Sequence, residues 1–233
     1  MITNLVTGGA GFIGSNLIDY LIKQNENVIC LDNLSTGNIE NINHHFNNSN
    51  FEFVQADICD QNEFTMPINK IWNLACPASP TYYQRDPLKT LKICFQGTFN
   101  VLNLAKIKKS KFLFASSSEI YSNPISFPQY EKRFITSDLF SSRSCYSEGK
   151  RVAETLCFNF HKINNIDIKI ARIFNAYGPR LKKDDGRVIS NFINQALNKE
   201  DLTIYGNGAQ TRSFCYIDDI VQGLITFMNS KEN

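Results

Sequence analysis

No stretch of this chain is apolar for long enough to cross a membrane, and no signal-peptide pattern opens it. The first strand begins at residue 2, so the expected location is the cytoplasm. The seven cysteines (30, 59, 76, 94, 145, 157 and 215) are odd in number and lack CxxC spacing. That argues for a reducing compartment and against a zinc centre. Histidine is scarce: His44 and His45 are adjacent but have no partner cluster in the sequence, so no metal is expected. An excess of one charge is also missing. With 24 Lys and Arg against 22 Asp and Glu, the net charge of +2 points to no nucleic-acid partner. The basic stretch Lys106 to Lys111 reads as a solvated helix end. Internal repeats and low-complexity segments are absent. What remains, at 42% apolar and 20% charged over 233 residues, is the composition of a soluble globular protein of one or two domains.

The first informative segment is at the N-terminus. Ile2 to Thr7 reads as a buried strand, and Gly8-Gly-Ala-Gly-Phe-Ile-Gly14 follows at once. From Ser15 to Lys23 the apolar residues Leu17, Ile18, Leu21 and Ile22 recur with helical spacing. Glycines at 8, 11 and 14 permit a tight turn and a close backbone approach by a pyrophosphate. The helix that follows aims its first N–H groups at the same place. A second strand, Asn27 to Leu31, ends in Asp32, eighteen residues after Gly14. An acid there accepts hydrogen bonds from a ribose diol and repels a 2′-phosphate, so the expected cofactor is NAD and not NADP.

The second informative segment is Arg143-Ser-Cys-Tyr-Ser-Glu-Gly-Lys150. Tyr146 and Lys150 are four residues apart and share a helix face. A phenol is a poor base at neutral pH, and a neighbouring ammonium favours its ionised form. The pair therefore suits proton transfer beside a hydride carrier.

Between these segments strands and helices alternate. Further strands are expected at Phe51 to Ala56, Lys70 to Ala75, Lys111 to Ala115 and Ile166 to Ile173. Asn33 to Asn50 reads as a loop with a short helix. Long helices are expected over Pro87 to Lys108 and Cys145 to Lys162, and another over Asp218 to Met228. The pattern predicts an α/β fold, a doubly wound parallel sheet of Rossmann type. Ligands should gather at the carboxyl ends of the strands, near the glycine turn, Asp32, Asp57, Ala75 and Ser116 to Glu119.

Thr7-Gly-Gly-Ala-Gly-Phe-Ile-Gly14 together with Tyr146-x-x-x-Lys150 resembles the extended short-chain dehydrogenase/reductase family of nucleotide-sugar enzymes. Longer stretches are similar to the UDP-glucuronate decarboxylases within it. They are Asn73 to Pro80 (Asn-Leu-Ala-Cys-Pro-Ala-Ser-Pro), Ser144 to Leu156, Ala171 to Arg180, Asp185 to Phe192 and Gln210 to Tyr216. Ser117-Ser118-Glu119 stands where decarboxylases carry Thr-Ser-Glu and dehydratases carry Asp-Glu. The resemblance implies decarboxylation of UDP-glucuronate to UDP-xylose. Hydride passes from the sugar's C4 to NAD, the C4 ketone allows the C6 carboxylate to leave as CO₂, and the hydride returns. It implies Tyr146 as base and Lys150 as holder of the ribose and phenolate. Ser118 then hydrogen-bonds at the C4 oxygen, Ser117 is a further catalytic candidate beside it, and Glu119 with Arg212 handles the carboxylate and protons. For NAD it points to Gly8, Gly11, Phe12, Ile13, Gly14, Asp32, Asn33, Thr36, Gly37, Asp57, Ile58, Leu74 and Ala75, besides Tyr146 and Lys150. For the nucleotide sugar it points to Lys92, Asn100, Asn175 and Arg187. It also implies a homodimer through the helices Pro87 to Lys108 and Cys145 to Lys162. The implied organisation is an NAD-binding domain over 1–174 and part of a substrate domain over 175–233, interleaved with the first.

The chain departs from this pattern in places. Cys94 replaces an Asn of a proton relay, Ser122 replaces a Gly, and Phe140-Ser-Ser142 replaces a turn richer in proline and glycine. Family members run on further, so part of one cleft wall is expected to be lacking. Two alternatives stay open: a different nucleotide-sugar reaction such as epimerisation or 4,6-dehydration, and an NAD-binding remnant without turnover.

Overall fold

The computed structural model describes residues 1–121, 129–131 and 137–231; Ser122 lies outside them. Six strands form one parallel sheet in the order β3-β2-β1-β4-β5-β6. They are β1 (Thr3–Thr7), β2 (Asn27–Asp32), β3 (Phe51–Gln55), β4 (Lys70–Asn73), β5 (Lys111–Ser117) and β6 (Ile168–Ile173). Side chains alternate across a strand, and a sheet covered on both faces needs apolar residues in both registers. Each central strand supplies them. Leu5, Ile29, Ile71 and Phe112 face one side, and Val6, Val28, Cys30, Trp72 and Leu113 face the other. The doubly wound sheet expected from the sequence is the fold observed.

Helices cover both faces. One layer holds α1 (Phe12–Lys23) and α7 (Ile217–Asn229), whose Leu17, Leu21, Val221 and Leu224 pack against Trp72 and Leu113. The other holds α4 (Thr98–Lys108) and α5 (Ser144–Asn164), which bury Val101, Leu102, Ala153 and Cys157. The short helices α2 (Pro80–Tyr83) and α3 (Pro87–Lys92) precede α4, and α6 (Val188–Leu197) follows β7 (Asn175–Tyr177). A small parallel pair, β7 with β8 (Phe214–Tyr216), stands apart from the main sheet.

The single helix expected over Pro87 to Lys108 is divided. Asp86 caps α3 through a hydrogen bond from the Lys89 amide at 2.9 Å, with Pro87 in the first turn. After Lys92 the chain makes a π-helical turn over Ile93–Gly97 before α4 begins. Gly97 presses on Ile58, where a Cβ would come within 2.5 Å of its side chain. The widened turn thus brings backbone against the loop after β3. The polar stretch after Asp32 forms two 3₁₀ turns, Ile39–Asn41 and Asn43–His45, instead of one helix. The first is capped by the Asn38 side chain. Among the described residues, no helix is long and apolar enough to cross a membrane.

Candidate active site

The sheet order reverses between β1 and β4, and the main cleft opens there, beyond the carboxyl ends of the strands. It encloses about 530 Å³. Its first wall is the glycine turn. Gly8 has φ +69°, and a Cβ on it would stand 2.8 Å from the Ala75 Cα, so only glycine lets β1 and β4 meet this closely. A Cβ on Gly14 would lie 2.3 Å from the Gly8 carbonyl oxygen. Among the described residues no side chain caps α1, whose first-turn residues Phe12, Ile13 and Gly14 line the cleft. At the end of β2 the Asp32 carboxylate accepts the amides of Ala10 at 3.0 Å and Leu34 at 2.8 Å. Burial raises its carboxyl above the ordinary value despite these bonds. Farther along, Asp57 accepts from Asn33 Nδ2 and the Cys59 amide. Burial pushes that carboxyl up, but the two hydrogen bonds outweigh it and hold it below the usual range.

The opposite end of the cleft carries the proton-transfer groups. Tyr146 is buried on α5 and stacks on Tyr83, with ring centroids 4.9 Å apart and planes 6° from parallel. The Lys150 ammonium is 5.8 Å from the Tyr146 ring centre and donates to the Ala115 carbonyl at 2.7 Å. Burial raises the Tyr146 phenol, while the Lys150 charge and the Ser117 hydroxyl pull it down; burial prevails. The lysine thus acts in the expected direction without bringing the phenol into the neutral range unaided. Burial works against the Lys150 charge as well, but Cys76 and Tyr146 outweigh it and keep the ammonium protonated. Ser116 lines the cleft, and its buried Oγ has no hydrogen-bond partner among the described residues. Glu119 lies 3.5 Å from the Arg143 guanidinium.

The third wall comes from the segment after β6. Arg187 forms a two-pronged pair with Asp185, and Asn175 donates to the Ser213 carbonyl at 3.1 Å. Arg212 is exposed and donates to the carbonyl of Thr211.

A family model described as the NAD dependent epimerase/dehydratase family matches residues 4–233. The chain belongs to that family. It is 49% identical over 227 residues to UDP-glucuronic acid decarboxylase 4 of Arabidopsis thaliana, an alignment covering 97% of this chain and 51% of that protein. The chain spans about half the length of the first curated relatives it matches. A UDP-N-acetylglucosamine 4-epimerase from Methanobrevibacter ruminantium superposes with a TM-score of 0.91 at 30% identity, over all of this chain and 74% of that one. A UDP-glucuronic acid 4-epimerase from Bacillus cereus, solved with UDP-glucuronic acid and NAD, gives 0.85 at 31% identity over the same shares.

NAD is the family's cofactor, and the residues present fit it. The glycine cradle, the start of α1, the Asp32 carboxylate and Lys150 all line one cleft. Every residue expected to touch NAD lines that cleft, as do Ser117, Ser118, Glu119, Arg212, Asn175 and Arg187. Lys92 and Asn100 do not. Lys92 borders a separate hollow with Asp57, Asp60 and Asp86. The Asn100 amide is committed to the carbonyls of Ile58, Cys59 and Asp60, so it pins the loop after β3.

The cleft also holds Tyr83, Arg143 and Lys182, which were not anticipated. Their only sequence signal is position: Tyr83 follows the turn after β4, and Arg143 directly precedes the Tyr-Lys helix. His44 and His45, expected to lack a partner, converge on Asp19 Oδ1 at 2.9 and 2.7 Å, three potential metal ligands in all.

Proposed function

We propose that this chain carries out the NAD-dependent decarboxylation of UDP-glucuronate to UDP-xylose. The observation that carries the reading is the convergence on one cleft of Tyr146, Lys150, Ser117, Ser118, Glu119 and Arg212, in a chain 49% identical to a named decarboxylase. When bound, NAD supplies reversible hydride transfer with the sugar's C4. Tyr146 takes the C4 hydroxyl proton and later returns it. Lys150 keeps its charge beside the phenol and lowers the cost of the phenolate. Once C4 is a ketone, the C6 carboxylate is β to it, and CO₂ can leave into an enolate. Ser118 donates to the oxygen where that charge develops, with Ser117 supporting the phenol. Arg212 meets the departing carboxylate, and Glu119, held by Arg143, delivers the proton to C5. Asn175 holds the nucleotide sugar, and Arg187 does so after exchanging Asp185 for diphosphate.

Residues 1–174 form the NAD domain and 175–233 contribute the sugar-nucleotide wall, with α7 returning to the helical layer beside α1. The seven free thiols suit a reducing, cytoplasmic setting. The protein pairs as a homodimer through the α3–α4 face and α5, a reading supported by the apolar side chains they expose.

The test is incubation of the 233-residue chain with NAD and UDP-glucuronate labelled at the carboxylate carbon. Labelled CO₂ with UDP-xylose is expected. Turnover of the sugar without CO₂ would assign an epimerase or dehydratase instead, and bound NAD without turnover would assign a remnant.

A further inference from the structure

Two thiols meet where the cleft wall backs onto the π-helical turn, and no step above uses either. Cys76 follows the end of β4 and lines the cleft, half-buried. Cys94 is in the π-helical turn and is 2% exposed. Their sulfurs are 3.6 Å apart. No other two cysteine sulfurs among the described residues are in hydrogen-bonding contact. The neighbouring helix makes room for them: a Cβ at Gly149 would stand 2.9 Å from both Cβ and Sγ of Cys94. Lys150, the next residue, brings a buried ammonium near both thiols.

We propose that Cys76 and Cys94 are a redox pair that closes to a disulfide within the NAD cleft when the protein meets a peroxide. The inference rests on the cleft and its cofactor, not on the reaction proposed for the sugar. The two sulfurs have different parts to play. Cys76 is the one that lines the cleft, and the Cys94 hydrogen bond and the Lys150 charge hold its thiol below the ordinary range, against burial. A thiolate, not a thiol, attacks a peroxide. Cys94 is 2% exposed and does not line the cleft, so it meets the oxidised Cys76 sulfur from beneath and is the resolving thiol.

In the first step the Cys76 sulfur forms a bond to one peroxide oxygen. The O–O bond breaks, and the leaving hydroxide takes a proton and departs as water. In the second, the Cys94 sulfur attacks the Cys76 sulfenic acid. The S–O bond breaks, and the Cys94 proton leaves with that oxygen as a second water. Two thiols are oxidised by two electrons in total, and one peroxide is reduced to two waters.

Closing the bond brings the sulfurs from 3.6 Å to about 2.05 Å. The mobile partner is Cys76, in the loop after β4, because Cys94 is fixed within a helical turn. Ala75, its neighbour, is the residue against which Gly8 packs, so the movement is felt in the pyrophosphate cradle. NAD occupying the cleft should in turn shield Cys76.

The experiment exposes the full chain to graded hydrogen peroxide, with and without saturating NAD, followed by peptide mapping without reductant. The expected result is a linked peptide pair containing Cys76 and Cys94, lighter by two hydrogens. Titratable thiols fall from seven to five, dithiothreitol reverses the change, and NAD slows it by roughly tenfold. Cys94→Ser should halt Cys76 at a sulfenic acid that a dimedone probe captures, and Cys215→Ser should leave the linkage unchanged. Cys76 advancing to sulfinic acid while Cys94 stays a thiol would overturn the proposal. So would a disulfide between other cysteines. Should Cys94→Ser fail to fold, the wild-type map decides alone, and none of these readouts depends on turnover of a sugar.

Discussion

Tyr146 is the side chain on which the proposed chemistry turns, and its environment makes a sharp expectation possible. The phenol is buried against Tyr83, so removing its oxygen leaves the stacking intact and deletes only the proton acceptor. Tyr146→Phe should keep NAD affinity within a small factor and lower turnover by about a thousandfold, the scale of general-base catalysis. Isothermal titration and single-turnover CO₂ release separate the two effects, and surviving turnover would remove Tyr146 from the mechanism. Asp32 makes a different prediction. Its carboxylate serves two backbone amides and faces the cleft where the proposed ribose site lies, so Asp32→Ala should weaken NAD binding on the order of tenfold or more and lessen the discrimination against NADP. An unchanged NAD-to-NADP ratio would refute that assignment. Both residues were legible in the sequence because their signals are local: an acid at a strand end after a glycine turn, and two side chains one helical turn apart. Tyr83 and Arg143 were not, because what brings them to Tyr146 and Glu119 is tertiary packing. Lys92 and Asn100 were carried by resemblance alone: Lys92 borders a separate hollow, and the Asn100 amide is held by the loop after β3.

At the scale of elements, strands were read more accurately than helices. A buried parallel strand announces itself by continuous apolar residues such as Val28 to Leu31. The division of the helix between Lys92 and Thr98 depends on Gly97 meeting Ile58, a contact 39 positions distant in the chain. The pairing of β7 with β8 escaped notice for the same reason, since Asn175 and Phe214 are partners across three-residue strands. Two ties between elements carry predictions. Arg172 on β6 grips Glu154 on α5 through two bonds of 3.0 and 2.8 Å. Glu154→Ala should cost about 2 kcal/mol in urea unfolding, because it leaves a half-buried guanidinium without its counter-ion. On α1, Asp19 receives Arg180, His44 and His45. Burial raises its carboxyl, and these bonds outweigh burial and hold it below the usual carboxylate range. A carboxyl depressed by folding contributes stability that is present above its unfolded value and is lost as pH falls through the folded one. Asp19→Asn should therefore cost about 1 kcal/mol at neutral pH, discounted for its partial exposure, and flatten the loss of stability below about pH 4. An unaltered acid limb in the variant would show that the cluster carries no such linkage.

For the whole molecule, the decisive feature is an apolar face that its own fold leaves open. Leu88 (79% exposed), Leu91, Phe95 and Phe99 recur at helical spacing along α3, the π-turn and α4, and Val152 and Phe158 are exposed on the adjoining α5. Helix-forming sequences place residues so spaced on one side, and that side here points away from the sheet that buries Val101 and Leu102. Phe99 reaches Phe160 edge-on at 5.6 Å, so the two helices present one continuous surface. Apolar area gathered in this way is uncommon on a monomer, and two copies related by a twofold axis would each cover the other's. Sedimentation equilibrium at micromolar concentration should give a mass twice that of the 26.5 kDa chain. Phe95→Glu combined with Phe158→Glu should return it to the single-chain mass while leaving NAD binding nearly unchanged, because the cleft opens at the strand ends and neither phenylalanine lines it. A wild-type chain that sediments as a monomer would show that this face is covered by something other than a second copy, and the proposed pairing would have to be abandoned.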